Sequence, residues 1–420
     1  MNGIVTIRAL AVFTISVACV AVQCLAGDWP CWRGPASNGV SDSNRVPTAW
    51  SAQEHIGWKT QIEGAGNSSP CVSADSVIVT SATMAGNDVK GTYVVCLDRA
   101  TGAQRWKTEV PILGRPKQKP HDCNGWATPT AASNGKRIAV VFATGTMACL
   151  DMTGKLIWTF DLGPLDHCWG LAASPAIDRK HVYYSVDQEG AQPPSYVIAI
   201  DLASGRQAWR TDAEKSGGRG YSSPVVFSRN GRSELLVWAD NMLTGYDTAT
   251  GKRLWKVSTF DQPEPIATPM IVGDTVYLAQ SDRGMAIKVQ GAGKATSTKV
   301  IWSGNGKIAR MAGSMVYKGR LYAVSDPGDV SCYDARTGGQ VWTAKLGVEF
   351  RASPVAAADR VIFVAMNGKS YVIKAGDAFE RIGENSLPGS VQASPAISDG
   401  TLYVRTMDAG NTTVWCIAAK

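Results

Sequence analysis

The chain has 420 residues, 42 Lys and Arg against 35 Asp and Glu, and a net charge of +7. No basic run exceeds two residues, a distribution too mild and dispersed for a nucleic-acid partner. With 43 glycines, 14 tryptophans and only 18% charged residues, and no long amphipathic pattern past the first residues, a helical or disordered chain is excluded in favour of an all-β one.

Residues 1–26 read as an export signal. Arg8 supplies a positive start, and Ala9 to Val22 form an apolar run too short to span a bilayer. Cys24-Leu25-Ala26 places small residues, Cys24 and Ala26, at the −3 and −1 positions for cleavage before Gly27, whereas Ser16 and Ala21 stand where a lipidation signal prefers Leu. An exported protein, periplasmic or secreted, is expected, with no transmembrane segment in the mature chain. Residues 27–54 form an extension outside any repeat register, opening on Asp28-Trp29-Pro30-Cys31-Trp32-Arg33-Gly34-Pro35.

From residue 55 to 420 the chain repeats. Apolar stretches open at Ser69-Pro70, Thr128-Pro129, Ser174-Pro175, Ser223-Pro224, Thr268-Pro269, a degenerate Ser314-Met315, Ser353-Pro354 and Ser394-Pro395. The spacings are 59, 46, 49, 45, 46, 39 and 41 residues, the period of stacked supersecondary units. Each unit reads as four strands. In the third they are Ser174 to Ile177, His181 to Val186, Tyr196 to Asp201 and Gln207 to Thr211, with alternation that suits a sheet packed between two others.

Asp201 to Gly205 is the turn between the last two strands, recurring at Asp98–Gly102, Asp247–Gly251 and Asp334–Gly338, and one residue shorter at Asp151–Gly154. Four residues after each Gly stands Trp106, Trp158, Trp209, Trp255 or Trp342, a large ring offered to the neighbouring sheet. The eighth unit lacks its last strand and Trp. Gly57-Trp58-Lys59-Thr60 matches Trp106-Lys107-Thr108 and fills that place, which removes two open sheet edges at once. The expectation is an eight-bladed β-propeller of four-stranded antiparallel blades, closed by an N-terminal strand.

The string Asp-x-x-Thr-Gly-x-x-x-Trp with Ser-Pro openings resembles the pyrroloquinoline-quinone (PQQ) type propeller repeat, over about residues 55–420. The Asp28 to Pro35 segment is similar to the start of exported proteins of this class. The resemblance extends to the quinoprotein dehydrogenases, which implies PQQ with calcium as cofactor, and to the non-catalytic BamB-like family, which implies a scaffold. The dehydrogenase reading implies two adjacent cysteines and roofing insertions. Here no two cysteines are adjacent, no Cys-x-x-Cys-His haem motif occurs, and the loops between blades are short. No cofactor is therefore expected.

Cys96, Cys149, Cys332 and Cys416 share one strand position, where small buried side chains pack under a Trp. Cys31, Cys71, Cys123 and Cys168 remain, and export permits bridges among them whose pairing stays open. The links that lead from one blade's last strand to the next blade's first strand line the mouth of the central channel, the usual propeller site. They carry His121, Cys123, Trp126, His167, Cys168, Trp169, Arg219, Tyr221, Arg310 and Arg351.

A metal site from His121, Cys123, His167 and Cys168, or a Cys123–Cys168 bridge, competes with a polar and aromatic mouth that stacks a small ligand or a peptide. The last is preferred, with Arg219, Arg310 and Arg351 favouring an anion. Asp187, Glu189, Asp282, Asp326 and Asp329 fall in turns on the same face. Paired acids there would make a hydrolase or lyase, yet such turns favour Asp for local backbone bonding alone. No catalytic residue is assigned. The expected function is a non-catalytic binding or scaffold module, with a PQQ-dependent oxidoreductase as the ranked competitor and a hydrolase behind both.

Overall fold

The computed structural model describes residues 27–419 except 87, 115, 117, 118, 122, 191, 215–219, 230, 262, 263 and 292–294. The leader expected over residues 1–26 and the candidate Arg219 thus lie outside the described residues. The chain is all-β and builds eight four-stranded sheets. In the third blade the strands run Ala176–Ile177, His181–Val186, Tyr196–Asp201 and Gln207–Asp212, the antiparallel meander that the alternation dictates.

Closure is as expected. Ile56–Ile62 pairs antiparallel with Asn411–Ile417, with Trp58 opposite Cys416 and Thr60 opposite Val414. One unit is thereby completed from both ends of the described chain, and Asn411–Ile417 becomes an inner strand with a partner on each side.

The tryptophans show how blade meets blade. The indole Nε1 of Trp58, Trp106, Trp158, Trp209, Trp302 and Trp342 donates to a turn carbonyl of the following blade, at 2.8 to 3.1 Å. Trp302 does so although its blade lacks the sequence motif. Trp255 departs: its indole donates 2.7 Å to the buried carboxylate of Glu234 in its own sheet. The turn glycine has two reasons to be glycine. Gly251 has φ of +72°, and a Cβ there would lie 2.4 Å from the Trp209 ring. Across the sheet, Cys96, Cys149, Cys332 and Cys416 pair with Trp106, Trp158, Trp342 and Trp58. All four thiols are buried, and burial pushes each upward, that of Cys416 to about 11, so they pack and do not react.

The Ser-Pro repeats have a structural use at the channel wall. Ser69 N–H donates to Thr130 Oγ1, Thr130 N–H to Ser174 Oγ, Ser174 N–H to Ser223 Oγ, Gly313 N–H to Ser353 Oγ and Ser353 N–H to Ser394 Oγ, all within 2.8 to 3.0 Å. Two expected openings move accordingly: Thr130 takes the place assigned to Thr128, and Gly313 that assigned to Ser314. A Thr-x-Thr run hides the first shift, and a missing hydroxyl hides the second.

The extension that precedes the ring is part of the fold. Trp29 bridges Val72 and Val40 bridges Ala356, Pro30 accepts from Ser133 N–H, and Trp50 N–H donates 2.8 Å to Asn385 Oδ1. Trp29 and Trp50 are buried in the same core as Trp58.

Candidate functional site

One cavity sits on the propeller axis with an empty volume of about 1050 Å³, its open mouth included. Links before all eight blades reach its wall: Asn67, Cys123, Trp169, Tyr221, Ile266, Arg310, Arg351 and Gln392. The blade register thus places these links on one rim, as the order of strands requires. The floor comes from elsewhere. Trp32 and Arg33 of the extension enter from the opposite face and line the same cavity.

The candidate residues separate on inspection. Trp169, Tyr221, Cys123, Arg310 and Arg351 line the cavity. His121 is exposed and stacks on Trp169 with ring centroids 4.2 Å apart. His167 is buried and meets Tyr221 edge-on at 4.7 Å. Trp126 lies beside the cavity and not on it, although Asn124 and Thr128 line it: its ring is partly buried against the cores between the first and second and between the second and third blades. The two imidazoles therefore serve different rings. Among the described residues no group of three or more His, Cys, Asp or Glu side chains converges as a metal would need.

Arg310 carries its guanidinium 6.0 Å from the Trp169 ring, a cation–π contact between links on non-adjacent blades. It also pairs with Glu264. Arg351 pairs with Glu349 at 3.2 Å. The positive charge expected of the rim is thus partly neutralised by its own neighbours.

The acids of the same face act on the backbone of these links. Glu189 accepts from Cys168 N–H at 2.5 Å, Asp282 from Ile308 N–H at 3.1 Å, and Asp326 from Arg310 N–H at 3.3 Å. Gln280 does the same for Ile266 and Ala267. Asp329 pairs with Lys307 at 3.1 Å. Asp282, Asp326 and Asp329 thus converge on the one link of residues 307–310, whose N–H groups and Lys307 they hold, while Glu189 holds the link at Cys168.

Asp187 is only 5% exposed and accepts from the Ser195 hydroxyl at 2.9 Å and Gly220 N–H at 2.8 Å. Burial pushes its carboxyl up to about 7, against the pull of those two hydrogen bonds. The folded value lies above the unfolded one of about 4. Its contribution to stability is therefore full below pH ~4 and lost as pH rises through about 7, by on the order of a few kcal/mol. Asp187→Asn is neutral throughout. Denaturant titrations at several pH values are expected to show the variant gaining on the wild type between pH 4 and 8; a constant difference would refute the assignment.

Arg33 is the residue that sequence reading passed over. It has φ of +62°, unusual outside glycine, and is 3% exposed. Its Nη2 donates to Asn38 O at 3.0 Å and Ser314 O at 2.6 Å. Trp32 Nε1 donates 2.8 Å to Thr268 Oγ1. The available signal was the density of Trp, Arg, Gly and Pro between Trp29 and Pro35, which no blade position explains.

A family model described as "Outer membrane protein assembly factor BamB" matches residues 90–223, 144–325 and 292–406. The chain is 29% identical to the quinohemoprotein alcohol dehydrogenase ADH IIB of Pseudomonas putida over 195 residues, 44% of this chain and 21% of that protein. It is 28% identical to the outer membrane protein assembly factor BamB of Burkholderia pseudomallei over 110 residues, 26% of this chain and 28% of that one. These matches span less than a third of either relative's length. The crystal structure of BamB from Moraxella catarrhalis superposes with a TM-score of 0.63 at 16% identity, covering 86% of this chain and 99% of that chain, a likeness of fold.

Proposed function

The chain belongs to the family described as outer membrane protein assembly factor BamB, and from that membership we propose that it is an exported, non-catalytic propeller that binds a small ligand or a peptide at its central cavity. The observation that carries this reading is the convergence of links before all eight blades on one cavity whose wall is aromatic, amide and guanidinium in character. Among the described residues no helix is long and apolar enough to cross a membrane.

The competing reading is a quinoprotein dehydrogenase, favoured by the partial match to the alcohol dehydrogenase. The donor set does not suit its cofactor. A calcium ion takes six to eight oxygen ligands, several of them carboxylates. Of the described cavity residues, Glu264 alone is a carboxylate, and Arg310 holds it.

The two readings part on one experiment. Purified protein titrated with PQQ and calcium is expected to show no stoichiometric change in quinone absorbance and no dye reduction with alcohols. A chelator-sensitive complex that turns over would establish the dehydrogenase instead.

A further inference from the structure

The cavity floor is rich in donors that lack acceptors. Ser174 Oγ, Ser223 Oγ and Ser353 Oγ each accept a backbone N–H at 2.8 to 3.0 Å, and Thr268 Oγ1 accepts the Trp32 indole at 2.8 Å. A hydroxyl so engaged still has one proton to donate. No acceptor is present for these four protons among the described residues, and all four side chains line the cavity. The same holds for Arg33 Nε and for Trp169 Nε1, both buried without a partner.

Arg33 is also a charge without a counter-charge. Its bonds run to carbonyls, and no carboxylate pairs with it among the described residues. Its surroundings make room for its other nitrogen: at Gly313 a Cβ would lie 2.4 Å from Arg33 Nη1 and 2.9 Å from Ser353 Oγ. Guanidinium and hydroxyl thus flank one small gap that only glycine leaves open. Desolvation lowers the guanidinium to about 10, which still leaves it charged at neutral pH. The cavity residues carry three guanidiniums, those of Arg33, Arg310 and Arg351, against the single carboxylate of Glu264. An unpaired buried cation is costly, and an anion in the cavity removes that cost.

We propose that the cavity binds the carboxylate of a small organic acid, with Arg33 as its charged anchor at the floor and the hydroxyls of Ser174, Ser223, Thr268 and Ser353 donating around it. The apolar body of the acid then lies higher, against Trp169 and Ile266. This rests on the reading of the cavity as a binding site and adds the class of ligand to it. Charge-assisted bonds of this kind are about twice as strong as neutral ones, so an acid should bind far better than its alcohol.

The test is calorimetric titration of the whole chain at low salt with phenylacetate and with the uncharged 2-phenylethanol. Phenylacetate is expected to bind one site at least about tenfold more tightly. Arg33→Met, checked for folding by circular dichroism, is expected to erase that advantage, so that phenylacetate binds the variant no more tightly than 2-phenylethanol does. Should Arg33→Met not fold, Gly313→Ala, which crowds Nη1 without removing the charge, is expected to reduce the advantage. Equal affinity for acid and alcohol in the wild type overturns the anion assignment while leaving a binding cavity. Absence of phenylacetate binding, or an advantage unchanged in the folded variants, overturns the assignment as well.

Discussion

Removal of residues 27–62 is expected to abolish cooperative folding. The segment supplies the outermost strand of the last blade, Ile56–Ile62, and its loss bares the edge of Asn411–Ile417. It also carries Trp29, Trp50, Trp58 and Ile62, all buried in one core that joins the first, seventh and eighth blades. Loss of a single buried tryptophan costs about 3–5 kcal/mol, and a domain has only about 5–15 kcal/mol in hand. Differential scanning calorimetry should show no transition for the truncated chain. A peptide of residues 50–64 added in trans should restore part of it if strand pairing is the cause. A truncated chain that melts like the intact one would show that the ring closes without this strand.

The second large effect separates two kinds of tryptophan. Trp209 is 8% exposed, donates 2.9 Å to Thr248 O of the next blade and covers Gly251. Trp209→Ala removes the ring, the hydrogen bond and the contact between two sheets, so a loss of about 3–5 kcal/mol is expected by chemical denaturation. Trp169→Ala is expected to cost about 1 kcal/mol, since its half-buried ring packs on exposed His121 and on Arg310 and its Nε1 has no partner to lose. Equal losses would make Trp169 a core residue and deprive the cavity of its aromatic wall.

The four strands per unit, the turns at Asp98, Asp201, Asp247 and Asp334, and closure by Trp58 were legible because each is a local pattern repeated around a ring. The rim was legible for the same reason: once the strand order is known, every link before a first strand must reach the same face. Trp126 shows where that reasoning stops. Its neighbours in sequence line the cavity, but packing between two blades draws its ring aside. The acids Asp282, Asp326 and Glu189 were expected to bond only the backbone of their own turns. Their actual use, holding the N–H groups of rim links, appears only in three dimensions.

By itself, the order of residues determined the number of blades, the strand that closes them, the docking tryptophans apart from Trp255 and Trp302, and the face that bears the links. All of these follow from short-range periodicity and from the need to complete the eighth blade with a fourth strand. Tertiary structure alone decided what closes the channel below. Trp32 meets Thr268 across 236 residues of chain, and Arg33 meets Ser314 across 281. Contacts that distant, made once and not per blade, leave no period to read. The charged floor of the cavity is set by where a non-repeating segment comes to rest against the finished ring.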